Sequence, residues 1–165
     1  MNYLKGIIFL TLLLVLSRII PHPPNFTPVL AGIIFLPFIK KDITFSISVP
    51  LCAMLISDFF IGMHTLMLWT YFPIIVLSLM TYYFHHASLK RVGILAISSP
   101  MVFFVISNFG VWINSSTYAN DFNGLILCYI NAIPFYASSA LACILFSSAF
   151  YSVTILIKKN NTVTS

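Results

Sequence analysis

Two side chains of opposite charge stand apart from the other ionisable residues of this sequence. Arg18 and Asp58 lie near the ends of apolar runs, whereas the other cations fall in short gaps between such runs. An unpaired charge inside a bilayer costs at least about 2.5 kcal/mol, so we predict that Arg18 and Asp58 pair with each other or with a ligand. The guanidinium has planar donors suited to a carboxylate or phosphate, and Asp58 would fix its orientation. The pair could equally serve only to tie two helices together.

Further polar and aromatic residues are predicted to lie at the same end of the protein as this pair. Asn108 and Trp112 are four positions apart and therefore share one helix face. Aromatic rings with amide and imidazole groups suit a pocket for a flat small molecule that carries heteroatoms. Trp and Tyr also occur at membrane interfaces without any ligand. The candidate substrate-binding residues are Arg18, His22, Asn25, Asp58, His64, Trp69, Asn108 and Trp112.

The composition indicates the class of protein that must position these residues. Hydrophobic residues make up 60% of the chain and charged residues 7%, which leaves too little polar surface to cover a soluble domain. We therefore expect an all-α integral membrane protein with a single transmembrane domain over residues 1–165. The net charge of +5 comes from cations at predicted membrane edges, where they meet anionic lipid. Nucleic acid is not an expected partner.

The positions of the cations predict the topology. Lys5, Lys40–Lys41, Lys90–Arg91 and Lys158–Lys159 fall at every second boundary between apolar runs, as cytoplasmic loops require. This pattern predicts about six transmembrane helices with both termini inside, in the inner (cytoplasmic) membrane. Pro134 should separate a short interfacial segment from the last span. The predicted spans cover residues 6–20, 26–39, 43–61, 65–84, 92–113 and 135–157.

Several kinds of catalytic or metal site have no sequence support. The motifs of P-loop ATPases, HExxH metalloproteases and GxSxG hydrolases are missing, and only one of the three acids lies in a span. His22 or His64 could act as an acid or base or bind a metal, but no nucleophile, no orienting acid beyond Asp58 and no i, i+4 His pair accompanies them. The cysteines lie in apolar runs and suggest no disulfides. We therefore expect no enzyme, no metal and no cofactor.

Four stretches, residues 17–28, 50–64, 107–112 and 128–135, resemble an uncharacterised family of small prokaryotic six-helix membrane proteins described as transport proteins. The most specific is Arg-x-x-Pro-His-Pro-Pro-Asn-Phe, which begins at Arg18. That family is in turn similar in fold to the substrate-binding S components of energy-coupling factor vitamin transporters. The resemblance implies an S-component-like bundle of six helices with an outward-facing pocket capped by loops.

The sequence departs from these families at two places. After Pro134-Phe135 the family reads Asn-x-x-x-Gly-Asp, whereas the stretch from Ser138 to Cys143 contains neither the Asn nor the Asp. The first span lacks the alanine-rich face by which many S components are recognised by their coupling partner. Small residues recurring every four positions, Ser139, Cys143 and Ser147, could replace that face or could serve packing inside the bundle.

The resemblance implies a substrate-binding subunit that takes up a small, vitamin-like or other organic solute. Because the chain lacks an ATP-binding motif, it would need an energy-coupling ATPase module, a second copy of itself, or a solute gradient. The lipid bilayer and the small-molecule solute are the other expected partners. The alternative hypothesis is a membrane scaffold resembling the rod-shape-determining protein D family, which is also six-helical and short.

Overall fold

The computed structural model describes residues 3–85, 88–114 and 116–163, and these residues contain six α-helices and no strand. The all-α prediction is confirmed. The side of the membrane on which each end lies stays a prediction. In chain order the helices are α1 (Tyr3–Ile19), α2 (Val29–Ile39), α3 (Ile43–Ile61), α4 (Met67–Phe84), α5 (Leu89–Asn114) and α6 (Phe122–Val163).

Four of the six helices, α3 to α6, are long and apolar enough to cross a membrane. α1 and α2 are shorter. At about 1.5 Å per residue, the 11 residues of α2 extend about 17 Å, against about 30 Å of hydrocarbon. α2 therefore cannot cross the bilayer alone, and the second predicted span is an incomplete one. It begins at Val29 rather than at Phe26, because Pro28 takes the position before the helix.

α2 lies at the centre of the bundle, where α3, α4, α5 and α6 all contact it. Eight of its 11 residues are buried, including Ile33, Ile34 and Leu36, whereas Ile39 at its end is exposed. A helix that is apolar all round needs such surroundings. Because protein surrounds most of α2, a short helix in this position need not span the hydrocarbon.

α1 packs along α3 and places its last turn beside the last turn of α3. Leu14 and Val15 of α1 pack with Val49 and Ala53 of α3 in one buried cluster. α1 also approaches α2 closely, since a Cβ added at Gly32 would lie 3.2 Å from a methyl group of Leu14. This packing fixes the position of Arg18, one turn beyond the cluster.

α6 is one continuous helix through Pro134, so the predicted break at this proline is wrong. A proline removes only one backbone N–H donor, and contacts with α5 hold α6 on both sides of it. Before Pro134, the hydroxyl of Tyr129 donates to the carbonyl of Val105 at 2.7 Å. After it, the ring of Tyr136 lies 5.1 Å from that of Phe104.

The stripe of small residues on α6 faces the interior of the bundle. Ser139, Cys143 and Ser147 are all buried, and Cys143 belongs to the same core cluster as Ile33 of α2. Of the two uses open to it from the sequence, the stripe therefore serves close packing of α6 inside the bundle. It offers no exposed surface to a coupling partner.

Candidate functional site

The predicted ion pair between Arg18 and Asp58 is present. Nη2 of Arg18 lies 2.7 Å from Oδ1 of Asp58, and the two side chains are 17% and 2% exposed. Arg18 belongs to the last turn of α1, and Asp58 to the last turn of α3. Two charges are thus held together, largely out of solvent, at one end of two neighbouring helices.

Neighbouring groups of α3 and α4 complete the bonding of the pair. Nη1 of Arg18 donates to the carbonyl of Met54 at 3.2 Å and to the hydroxyl of Ser57. The hydroxyl of Tyr71 donates to Oδ2 of Asp58 at 2.7 Å. Nε2 of His64 lies 3.9 Å from the same oxygen, beyond hydrogen-bond distance. Both oxygens of the buried carboxylate therefore have a strong partner.

Tyr71 is a partner that the sequence reasoning did not identify. α3 and α4 form a hairpin whose loop covers only residues 62–66. Residues at similar distances from such a loop lie opposite each other, and Asp58 and Tyr71 are six and seven positions from His64. This near-symmetry is the signal that could have identified the pair.

All six helices line a cavity of about 280 Å³ beside the ion pair, here called the central cavity. The loop between α1 and α2 forms another part of its wall. Each helix contributes one or two side chains, so the cavity lies where the helices converge. Its lining residues are Arg18, His22, Asn25, Thr27, Val29, Leu30, Met54, Ile61, Thr70, Ile74, Phe103 and Ser139.

Several polar groups on this wall have no hydrogen-bond partner among the described residues. They are the side chains of Asn25, Thr27 and Ser139 and the Nε–H group of Arg18. The Ser139 residue is buried and lines the cavity. A polar group in that position is stabilised when a bound molecule supplies the missing hydrogen bond.

The loop between α1 and α2 is fastened to both sides of the cavity. Asn25 has a φ of 60°, in the left-handed region that Asn tolerates better than most residues. The next residue, Phe26, stacks against Phe146 of α6 with ring centroids 6.0 Å apart. At the other end of the loop, Nε2 of His22 lies 3.3 Å from the carbonyl oxygen of Arg18. The loop is therefore a defined wall of the cavity.

A second cavity of about 180 Å³, here called the side cavity, contains Asn108. It shares Asn25, Phe103 and Ser139 with the central cavity, so the two lie side by side. The side-chain nitrogen of Asn108 donates to the carbonyl of Phe104 in its own helix at 2.8 Å. Asn108 is thus near the predicted site but does not line the central cavity.

The two tryptophans line neither cavity. Trp69 packs against Phe109 of α5 with ring centroids 5.7 Å apart, and Phe109 packs against Trp112 at 5.5 Å. A Cβ added at Gly110 would lie 2.0 Å from Cγ of Trp69, so that glycine makes room for the indole. Trp112 donates from Nε1 to the carbonyl of Ala119 at 3.0 Å and braces the loop before α6.

The structure thus brings together five of the eight predicted site residues. Arg18, His22 and Asn25 line the central cavity, Asp58 lies behind Arg18, and His64 lies near the carboxylate. Among the described residues, no group of three or more His, Cys, Asp or Glu side chains could hold a metal ion.

These features define an all-helical membrane protein with a buried ion pair beside a cavity at one end of its bundle. The chain belongs to a family of unknown function, DUF6580, whose model matches residues 3–164. No curated protein matches the chain, and no solved structure does so either. Membership of this family therefore supports the expectation of an uncharacterised family and leaves the function to be argued from the site.

Proposed function

We propose that this protein binds a small organic solute in the central cavity and takes part in its uptake, as the substrate-binding subunit of a transport system in the cytoplasmic membrane. The observation that carries the proposal is the central cavity itself. It is lined by all six helices, and its wall holds Arg18 and three polar side chains that lack internal hydrogen bonds. If the positive-inside pattern holds, this cavity faces the outside.

The lining indicates the kind of solute. Its volume of about 280 Å³ lies just below the usual range for ligand pockets, about 300–1,000 Å³, which favours a small molecule. Leu30, Ile74 and Phe103 supply an apolar wall, while Arg18 and Asn25 supply donors. A vitamin-like or similar solute with an apolar body and one polar group has matching surfaces.

The buried ion pair would orient Arg18 toward this solute. The carboxylate of Asp58 contacts one terminal nitrogen of the guanidinium. The other terminal nitrogen donates to the carbonyl of Met54 and the hydroxyl of Ser57. Because the side chain is already fixed, it loses little conformational entropy when the solute binds. The remaining Nε–H donor would then be available in a fixed direction.

A partner would supply the energy for uptake. The chain has no P-loop motif, so an ATPase module or a second copy would complete the system. The small-residue stripe on α6 is buried and cannot receive that partner. A coupling partner would have to dock on another face of the bundle.

Native mass spectrometry of gently extracted protein tests the binding proposal. We expect the wild type to carry a small molecule whose binding weakens about fivefold or more in Asn25→Gly and Ser139→Ala, since a lost hydrogen bond to a buried group costs about 1–3 kcal/mol. Neither side chain has an internal hydrogen bond, and glycine adopts the positive φ of Asn25 without strain, so both variants should fold. The matched controls are Asn120→Gly, in an exposed loop, and Ser148→Ala, on an exposed face of α6.

Protein that carries no small molecule under these conditions, or that keeps it in both cavity variants, would contradict the proposal. Co-purification of cell-wall synthesis proteins with an empty cavity would favour the scaffold alternative. The controls separate loss of the solute from general damage to the fold, because they should retain wild-type occupancy.

A further inference from the structure

We propose that a groove between α4 and α5, away from the central cavity, binds one anionic phospholipid whose phosphate group contacts Arg91. The groove has a volume of about 510 Å³, larger than the central cavity. It has one charged side chain and otherwise mostly apolar walls. Its lining residues are Met80, Phe84, Arg91, Ile94, Leu95 and Ser98.

The groove has one polar and one apolar end. Phe84 ends α4 and Arg91 lies in the first turn of α5, so both mark the same end of the bundle. Ser98 is seven residues further along α5, about 10 Å deeper at about 1.5 Å per residue. A cation therefore sits at the helix ends, while the apolar part of the groove extends toward the middle of the membrane. A phospholipid has the same order of groups, with a phosphate at the boundary and acyl chains beneath it.

The charge at the mouth of the groove is available to a ligand. Arg91 is exposed, and its guanidinium has no partner among the described residues. Lys90 precedes it, and both cations are in the first turn of α5, where the helix dipole also favours an anion. None of the acids of the chain lines the groove. Arginine binds phosphate oxygens through paired N–H donors, which gives this position a preference for a phosphate headgroup.

The walls favour a lipid over a protein partner. Phe84 and Ile94 are exposed on the two sides of the groove, and Leu95 forms part of its floor. A partner helix or a second copy of this chain would need a complementary acid at Arg91. The chain offers only Asp42, Asp58 and Asp121, of which Asp58 is buried in the ion pair and the other two lie next to helix starts. A phospholipid brings its own negative charge and a flexible chain that fits an irregular groove.

Titration of purified full-length protein with lipids, followed by native mass spectrometry, tests this proposal. The three probes are phosphatidylglycerol, phosphatidylcholine as the zwitterionic comparison, and inorganic phosphate. We expect the wild type to bind phosphatidylglycerol more tightly than phosphatidylcholine. Arg91→Gln should weaken the binding of phosphatidylglycerol about fivefold and leave that of phosphatidylcholine unchanged. One basic residue near an anionic lipid contributes about that factor in affinity.

Two further variants make the test specific to the groove. Ile94→Trp should fill the groove and weaken the binding of both lipids. Lys41 is an exposed cation elsewhere, so Lys41→Gln should change the binding of neither. Equal losses in Arg91→Gln and Lys41→Gln would overturn the proposal, because they would indicate attraction by net charge alone. Arg91-dependent binding of inorganic phosphate as tight as that of phosphatidylglycerol, or a dimer that disappears in Ile94→Trp, would overturn it as well.

Discussion

Two Lys/Arg–Asp ion pairs among the described residues differ in their surroundings, and the comparison shows how burial changes the role of one kind of contact. Lys40 and Asp42 are 3.0 Å apart, with side chains 42% and 30% exposed. Arg18 and Asp58 are 2.7 Å apart, with side chains 17% and 2% exposed. Exposed pairs contribute little to stability because water already solvates both charges. Removing one member of a buried pair leaves the other charge without solvation.

The two pairs also act over different distances along the chain. Asp42 begins α3, where its carboxylate accepts a hydrogen bond from the backbone N–H of Phe45 at 3.0 Å. Its partner Lys40 is two residues away. Arg18 and Asp58 instead join α1 to α3, and Tyr71 extends their network to α4. The exposed pair is therefore a local signal for a helix start, while the buried pair fixes the arrangement of three helices around the central cavity.

The largest expected effect comes from breaking the buried pair on one side. Asp58→Asn should lower the free energy of unfolding by about 3–5 kcal/mol, because Arg18 keeps its charge in a largely buried position. Thermal unfolding in a mild detergent measures the change. The control is Asp42→Asn, which keeps a side chain able to cap α3 and should be much milder. Similar losses of unfolding free energy in the two variants would show that burial does not make the two pairs differ in their contribution to stability.

Removing a single hydrogen bond of the buried network should have an intermediate effect. Tyr71→Phe deletes the hydroxyl that donates to Asp58 at 2.7 Å, and bonds to charged groups contribute about 1.5–3 kcal/mol. The same unfolding measurement applies. Tyr83→Phe is the matched control, since Tyr83 lies on the same helix with an exposed ring. An unchanged unfolding temperature in Tyr71→Phe would show that the hydrogen bond from α4 does not stabilise the buried pair.

The smallest effect concerns the exposed pair and depends on pH. The N–H of Phe45 and, to a smaller extent, Lys40 lower the pKa of the Asp42 carboxyl below its usual value of 3.8. A lowered pKa means that the ionised group stabilises the fold at neutral pH and that this contribution disappears as the pH falls below about 4. The difference in unfolding temperature between the wild type and Asp42→Asn should therefore shrink between about pH 5 and pH 3. A difference that grows with acidity would contradict this assignment.

The buried pair could be predicted from the sequence because physical chemistry left few alternatives. Arg18 and Asp58 carry opposite charges in apolar runs, and an unpaired charge in lipid is energetically costly. The bounds of α3 could also be predicted, since Asp42 precedes an apolar run that ends before Gly62. Asp42 and Gly62 are residue types that favour the start and the end of a helix.

The central position of α2 could not be predicted in this way. A helix buried all round has no polar face, so its pattern does not show which neighbours cover it. The continuity of α6 through Pro134 depends on contacts with α5 that are distant in sequence. Trp69 and Trp112 pack against α5 and a loop, because a large ring can fill a gap between helices as readily as it can contact a ligand.

We propose that Arg18 serves both the fold and a bound solute, and the double variant Arg18→Met/Asp58→Leu separates these two roles. Replacing both charges by apolar side chains should bring the free energy of unfolding back to within about 1 kcal/mol of the wild type. Native mass spectrometry of that stable variant should then detect no co-purified solute. A stable double variant that retains the solute at wild-type occupancy would contradict the account, since the pair would then only tie two helices together.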